Sequence, residues 1–218
     1  MPIIVLRIFK MPSKSFKHIQ RNYDLLSSFY DLLSGQAESE IFHRVIDLLR
    51  SRKFESLLDI GCGTGKGLAE FEKEYSGKTS LMGIDLSLKM CQKAIKKNKR
   101  IANANALNLP IKASTFDAII FSFSLEIIPE KFINLALDEC VRVLKPRGIV
   151  CITCMAEVPD KNFISVLYLW AHKKFPKVID CQPISALHFL DKNRFMIFKE
   201  EISHLYGLPV EIIMAEKK

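Results

Sequence analysis

Three glycines at alternate positions, Gly61, Gly63 and Gly65, follow the apolar run Leu57-Leu58-Asp59-Ile60. Glycine lets the backbone take turns that a Cβ forbids and lets a ligand approach closely. The helix predicted from Lys66 offers free N–H groups beside this loop. A loop of this kind at the carboxyl end of a parallel strand is where doubly wound sheets bind nucleotides. Twenty residues beyond Gly65, Asp85 closes a second apolar run. A carboxylate there can accept from both hydroxyls of a ribose, and a hydrogen bond to a charged group is worth about 1.5–3 kcal/mol. Two common phosphate readings fail. The dinucleotide fingerprint needs Gly-x-Gly-x-x-Gly, but counting from Gly61, Gly63 or Gly65 reaches Lys66, Leu68 or Glu70. A Walker loop needs Lys then Ser or Thr, and Lys66 is followed by Gly67.

The strings LDIGCGTG (58–65), GIDLS (83–87), NALNLPIKASTFDAIIFSFSLEII (105–128) and RVLKPRG (142–148) together resemble the motif series of class I S-adenosylmethionine-dependent methyltransferases. The match runs in order and spacing over roughly residues 20 to 155, which makes it far more specific than a lone glycine loop. Within that superfamily the chain resembles the ubiquinone/menaquinone C-methyltransferase-like group, which includes phospholipid N-methylating relatives. The tail WAHKKFPKVIDCQPI (170–184) and the ending GLPVEIIMAEK (207–217) are similar to members assigned to lipid methylation.

The resemblance implies S-adenosyl-L-methionine as cofactor and assigns residues to it. Asp59, Gly61, Cys62, Gly63 and Gly65 line its methionine and ribose end. Asp85 holds the ribose hydroxyls, with Leu86 and Met90 beside the adenine. Asn105, Ala106 and Leu107 follow the third strand at the adenine. Asn105 stands where relatives usually carry Asp; its oxygen can accept from the adenine amino group, without charge. Ser122 and Phe123 end the fourth strand next to the sulfonium. Glu126 stands where relatives often have His, near the acceptor, where it is either a contact for a cationic or amine acceptor or a solvated loop carboxylate. Arg147 stands where relatives often have Gly. Tyr23 and Tyr30, seven residues apart, share a helix face; the resemblance makes this helix a lid and puts Tyr30 beside the methionine moiety. Tyr30 and Glu126 are the catalytic candidates.

These residues need elements to hold them. Helical spacing of apolar residues runs from Ala37 to Arg50. Strands are then expected at Ser56–Ile60, Ser80–Ile84, Arg100–Ala104, Phe116–Phe123 and Gly148–Met155, alternating with helices at Lys66–Tyr75, Leu86–Lys99 and Lys131–Leu144. That alternation predicts a parallel sheet covered on both faces. Phe195–Phe198 and Val210–Met214 are expected strands joined by a link too short for a crossover helix, hence an antiparallel pair at the sheet edge. Asn162–Lys174 has a helical stripe. The expected fold is α/β: a Rossmann-like, doubly wound, seven-stranded sheet, mostly parallel, with an antiparallel C-terminal edge hairpin and a helical N-terminal cap. A single domain is expected over 1–218, with cap helices in 1–50, the cofactor-binding core in 51–155, and an acceptor-side insertion plus C-terminal strands in 156–218.

The 218 residues suffice for one sizeable core. The start, MPIIVLRIFKMP, is interrupted by Arg7 and Lys10, far short of the ~20 apolar residues of a membrane span. Net charge is +8, which favours an anionic environment such as a membrane surface. Cys151 and Cys154 form C-x-x-C inside an expected strand, where positions three apart point to opposite faces; no metal is expected. The function read from the sequence is methyl transfer to a lipid-like or other small-molecule acceptor, a phospholipid amine or a quinone. The place is cytoplasmic, with peripheral membrane contact as an option and the oligomeric state open. The alternatives are a non-catalytic S-adenosylmethionine-binding regulatory protein and, behind it, an RNA methyltransferase. No nucleic-acid partner is expected, since no base-flipping motif or RNA-binding module is present.

Overall fold

The computed structural model describes residues 19–24, 35–75, 77–97, 100–157 and 182–218. The strands form the sheet, and only the central ones are continuous apolar runs covered on both faces. In order the strands are β1 (Ser56–Ile60), β2 (Ser80–Asp85), β3 (Ile101–Asn103), β4 (Phe116–Ser122), β5 (Leu144–Met155), β6 (Phe195–Leu205) and β7 (Leu208–Lys217). The helices are α1 (Gly35–Leu49), α2 (Lys66–Tyr75), α3 (Leu88–Ala94) and α4 (Ile133–Val143), with 3-10 turns at Glu130–Phe132 and Ala186–Phe189. Residues 19–24 are helical as well. The sheet order is β3-β2-β1-β4-β5-β7-β6. The first five strands pair in parallel, and β7 is antiparallel to both β5 and β6. The expected doubly wound sheet with an antiparallel edge is what forms.

Two apolar layers sandwich the sheet. Leu57, Ala118, Ile120 and Cys151 face Val45, Leu49, Leu68, Phe71 and Ala94 of α1, α2 and α3. Leu58, Ile119, Phe121, Ile152 and Cys154 face Ile133, Leu137 and Cys140 of α4 together with Ile184 and Leu190. Cys151 and Cys154 thus lie on opposite faces of β5. Burial pushes the Cys151 thiol up to about 12 and Cys154 higher still, which leaves both unreactive at neutral pH.

Several elements differ in extent from expectation. Helix α3 ends at Ala94 rather than Lys99, because Lys93, Lys96, Lys97 and Arg100 repel one another at helical spacing. β5 starts at Leu144, directly from α4, with a register shift against β4 between Phe116 and Ala118. β6 and β7 run through the whole expected link to a two-residue turn, Tyr206-Gly207, with φ of 52° and 80°; two positive φ values are the signature of a tight hairpin turn that matches strand twist. The helix expected at Asn162–Lys174 lies outside the described residues. Arg44 of α1 clasps Glu201 of β6 with two 2.7 Å bonds, and these hold the Glu201 carboxyl down at about 2.

Candidate functional site

β1 is the point where the strand order reverses, with β2 on one side and β4 on the other. Crevices outside the carboxyl ends of strands at such a point are where open α/β sheets take ligands. Two adjoining hollows open there. The larger, about 760 Å³ and open to solvent, lies between the strand ends and residues 19–24, which supply Ile19, Gln20 and Tyr23 as a roof. The smaller, about 370 Å³, reaches towards α1 and includes Glu38, Phe42, Asp59, Thr64 and Lys66. Gly61, Gly63, Ser122 and Phe123 wall both.

The glycine loop is built as its composition demands. Gly61, Gly63 and Gly65 have φ of 79°, 53° and 75°, a region that disfavours every residue with a Cβ. A Cβ on Gly61 would sit 2.4 Å from Ser124 Cβ. Ser124 is itself fixed, its Oγ donating to the Ile60 carbonyl at 2.6 Å. Phe123 also takes a positive φ, 51°, which is costly for a bulky residue and the kind of strain found at ligand sites.

Asp85 lines the larger hollow, and Asp59 and Glu38 line the smaller. Asp85 Oδ2 accepts the Gly63 N–H at 2.9 Å, and Oδ1 accepts the Ser87 N–H at 2.7 Å. Asn103 Nδ2 donates to the carbonyls of Asp85 and Leu86, both at 2.9 Å, and pins the turn that carries them. Ser87 caps α3 by accepting the Met90 N–H at 3.1 Å. Its hydroxyl donates to Asp24 Oδ1 at 2.5 Å, and Asp24 accepts the Lys89 N–H as well. The roof is thereby fastened to the loop that holds Asp85. Burial pushes the Asp85 carboxyl up to about 6, against the pull of the Ser87 and Gly63 N–H groups and with a further push from Asp24. Asp59, 2% exposed, is pushed by burial and then by Asp85 up to about 8. Its Oδ1 has no hydrogen-bond partner among the described residues.

The structure therefore gathers Asp59, Gly61, Cys62, Gly63, Asp85, Leu86, Asn105, Ala106, Ser122 and Phe123 around the two hollows. Gly65, Met90 and Leu107 stand behind the walls: Gly65 closes the loop by donating to the Cys62 carbonyl, Met90 is fully buried, and the Leu107 N–H donates to Asn105 Oδ1. Glu126 is buried too, with Oε1 accepting the Met155 N–H at 3.2 Å. Tyr30 lies outside the described residues. The sequence reading did not single out Ser87, Asn103, Ser124, Glu38 or the roof residues Ile19 and Gln20. Only Ser87 carried a legible signal, a serine just ahead of a helical run.

These residues fit a cationic nucleoside. The walls of the larger hollow are largely apolar, and the charged groups that act on Asp85 and Asp59 are further carboxylates, Asp24 and Asp85 in turn. A buried carboxylate atom without a partner is costly, and a ligand ammonium beside Asp59 removes that cost.

Comparison with known proteins agrees. Residues 57–148 match the methyltransferase domain family. The chain is 31% identical over 164 residues to a demethylmenaquinone methyltransferase of Thermotoga maritima, covering 72% of this chain and 70% of that protein. It is 31% identical over 145 residues to the enzyme of the same name from Staphylococcus carnosus, covering 64% of this chain but only 58% of that one. The N-methyltransferase NodS of Bradyrhizobium japonicum, solved in complex with S-adenosyl-L-homocysteine, superposes with a TM-score of 0.69 at 15% identity, over 94% of this chain and 99% of that one. The chain belongs to the S-adenosylmethionine-dependent methyltransferases of class I. Within that class its relatives are of the quinone C-methyltransferase type, and its cofactor is S-adenosylmethionine.

Proposed function

We propose that the chain transfers a methyl group to a lipid-like small-molecule acceptor, a quinone-type ring in its reduced, hydroquinone form carrying an apolar tail, with the displaced ring proton passing to solvent. The relatives named demethylmenaquinone methyltransferase are 31% identical to this chain over 164 and 145 residues, and that likeness carries the choice of acceptor. The apolar side of the larger hollow, with Ile19, Phe123, Ile127 and Ile128, is in keeping with it.

Bound S-adenosylmethionine supplies a methyl group already activated on a sulfonium. In this reading the chain's residues bind and align. Asp85 accepts the ribose hydroxyls. Asp59 and Glu38 take the ammonium of the methionine arm, and the Gly61–Gly65 loop follows its backbone. Leu86, Ala104 and Ala106 flank the base. Ser122 and Phe123 face the reacting end, where correct alignment can supply up to ~7–11 kcal/mol. Ile19 and Tyr23 exclude water from above. Tyr30 is assigned to the methionine side. Glu126 acts through the Met155 main chain it holds, as a positioning residue at the acceptor end. The titratable side chains on the larger hollow are Tyr23 and Asp85, among the described residues. The net charge of +8 and the apolar, basic first twelve residues support contact with an anionic membrane surface, from which such an acceptor is drawn.

Incubation with methyl-labelled S-adenosylmethionine tests the acceptor, with demethylmenaquinone kept chemically reduced in detergent and phosphatidylethanolamine vesicles as parallel substrates. Label in the quinone is expected. Label in the phospholipid amine, or in neither while S-adenosylhomocysteine still binds, would overturn the quinone assignment.

A further inference from the structure

The chain returns to the sheet at Ile184, beside the carboxyl end of β5. The Ile184 N–H donates to the Met155 carbonyl at 2.9 Å, and Ala156 and Ile184 form a parallel bridge. The Met155 N–H in turn donates to Glu126 Oε1 at 3.2 Å. Glu126 directly precedes Ile127 and Ile128, which line the apolar side of the larger hollow. A run of main-chain and carboxylate bonds thus joins residues 184–186 to the wall of the cleft.

The far end of this run is held by Glu211 of β7, which pairs in register with Cys154 of β5. Glu211 is 6% exposed and stands between the buried Val210 and Ile212. Its Oε2 accepts the Ala186 N–H at 2.7 Å, its Oε1 accepts the Ser185 hydroxyl at 3.4 Å, and the Cys154 thiol lies 3.8 Å from Oε2. All of these groups can donate, as a carboxylate requires. Burying a carboxylate is costly even when it is bonded, and an apolar side chain at a buried position is often as stable or more so. What Glu211 supplies, and an apolar side chain does not, is a fixed place for Ser185 and Ala186.

We propose that Glu211 is a positioning residue for the methyl acceptor: it fixes residues 184–186 and, through Met155 and Glu126, the Ile127–Ile128 wall of the larger hollow. This rests on the reading that the acceptor lies against that apolar side. Asp59, Asp85 and the glycine loop belong to β1, β2 and the turn between β1 and α2, separated from β7 by β4 and β5. Loss of the clasp therefore falls on the acceptor and leaves the cofactor in place.

Glu211→Met, close in length and apolar, removes the acceptor oxygens, and Glu211→Gln keeps one for the Ala186 N–H. Methylation of chemically reduced demethylmenaquinone at saturating S-adenosylmethionine reads KM and kcat, calorimetry with S-adenosylhomocysteine reads the cofactor site, and amide hydrogen exchange over residues 182–190 reads the clasp. Glu211→Met is expected to raise the acceptor KM by about tenfold with a smaller change in kcat, to leave S-adenosylhomocysteine affinity within about twofold, and to speed exchange at Ala186 by about tenfold or more. Glu211→Gln is expected to restore most of the wild-type KM and exchange. Faster exchange with an unchanged KM would overturn the positioning role, as would losses of acceptor and cofactor affinity in step, the pattern of general structural damage. A wild-type Ala186 amide that exchanges as fast as an exposed one would overturn the clasp without recourse to any variant. Wild-type protein that leaves reduced demethylmenaquinone unmethylated would refute the acceptor reading itself, a failure told apart by slow wild-type exchange at Ala186.

Discussion

At neutral pH Asp59 holds a proton that Asp85 has already lost, since burial and its neighbours set the first at about 8 and the second at about 6. A ligand ammonium favours the ionised form of Asp59, so cofactor binding should release a proton at neutral pH. Calorimetry in buffers of different ionisation heat should find a release approaching one proton, absent in Asp59→Asn. Affinity should accordingly rise with pH through the neutral range and fall more steeply below about 6, where Asp85 also takes up a proton, by about tenfold per pH unit for each group. The effect on folding has the other sign. Asp59 holds its proton more tightly in the folded chain than in the unfolded one, so its contribution to stability is present at low pH and lost as pH rises to about 8. Without ligand, Asp59→Asn should melt higher than wild type at mildly alkaline pH, while binding the cofactor less well. Arg147 sits at φ 62°, and its ion pair with Glu216 is made by a side chain 83% exposed. Arg147→Gly should therefore raise stability by about 1 kcal/mol in denaturant unfolding. Single residues were legible in the sequence where one contiguous string carries them, as with the glycine loop and Asp85. Ser124 and Asn103 stand beside residues that were singled out, but their bonds to Ile60 and to Asp85 and Leu86 join segments distant in sequence; Glu38 comes from a separate helix, and nothing in its neighbourhood marks it.

Asp24 fastens residues 19–24 to the core through Ser87 and Lys89. Asp24→Ala should release this roof, speed dissociation of S-adenosylhomocysteine by about tenfold in stopped flow, and expose the chain after Arg21 to trypsin even with ligand present. A merely structural role would lower the melting temperature and leave the dissociation rate alone; Asp24→Asn, which keeps an oxygen acceptor, should restore most of the wild-type rate. The central strands were readable from sequence because burial on both faces makes them continuous apolar runs. The hairpin was only half readable. β6 is an edge strand that carries Lys199, Glu200 and Glu201 in its middle, charges that discourage edge-to-edge pairing and also conceal the strand from a search for apolar runs. Helix α3 was overread: past Ala94 only Ile95 continues the apolar spacing, and the lysines that follow repel one another at helical spacing.

For the whole molecule, the sheet places Asp85, Ser87, Asn105, Ser122 and Ser124 at its carboxyl edge, while Gln20 and Tyr23 come from the roof, and the antiparallel hairpin widens the sheet beyond β5. Among the described residues no helix is long and apolar enough to cross a membrane. The fold class and the sheet's edge were legible because strand and helix periods alternate along the chain. The acceptor end was not, since no local pattern states what closes over it. The central claim is that the strand-end cleft holds S-adenosylmethionine by way of Asp85. Calorimetric titration of S-adenosylhomocysteine into wild type and Asp85→Ala tests it most directly. Saturable one-to-one binding, weakened about tenfold to a hundredfold by the substitution, is the expected result; equal affinity in the two proteins, or no binding to the wild type, would contradict it.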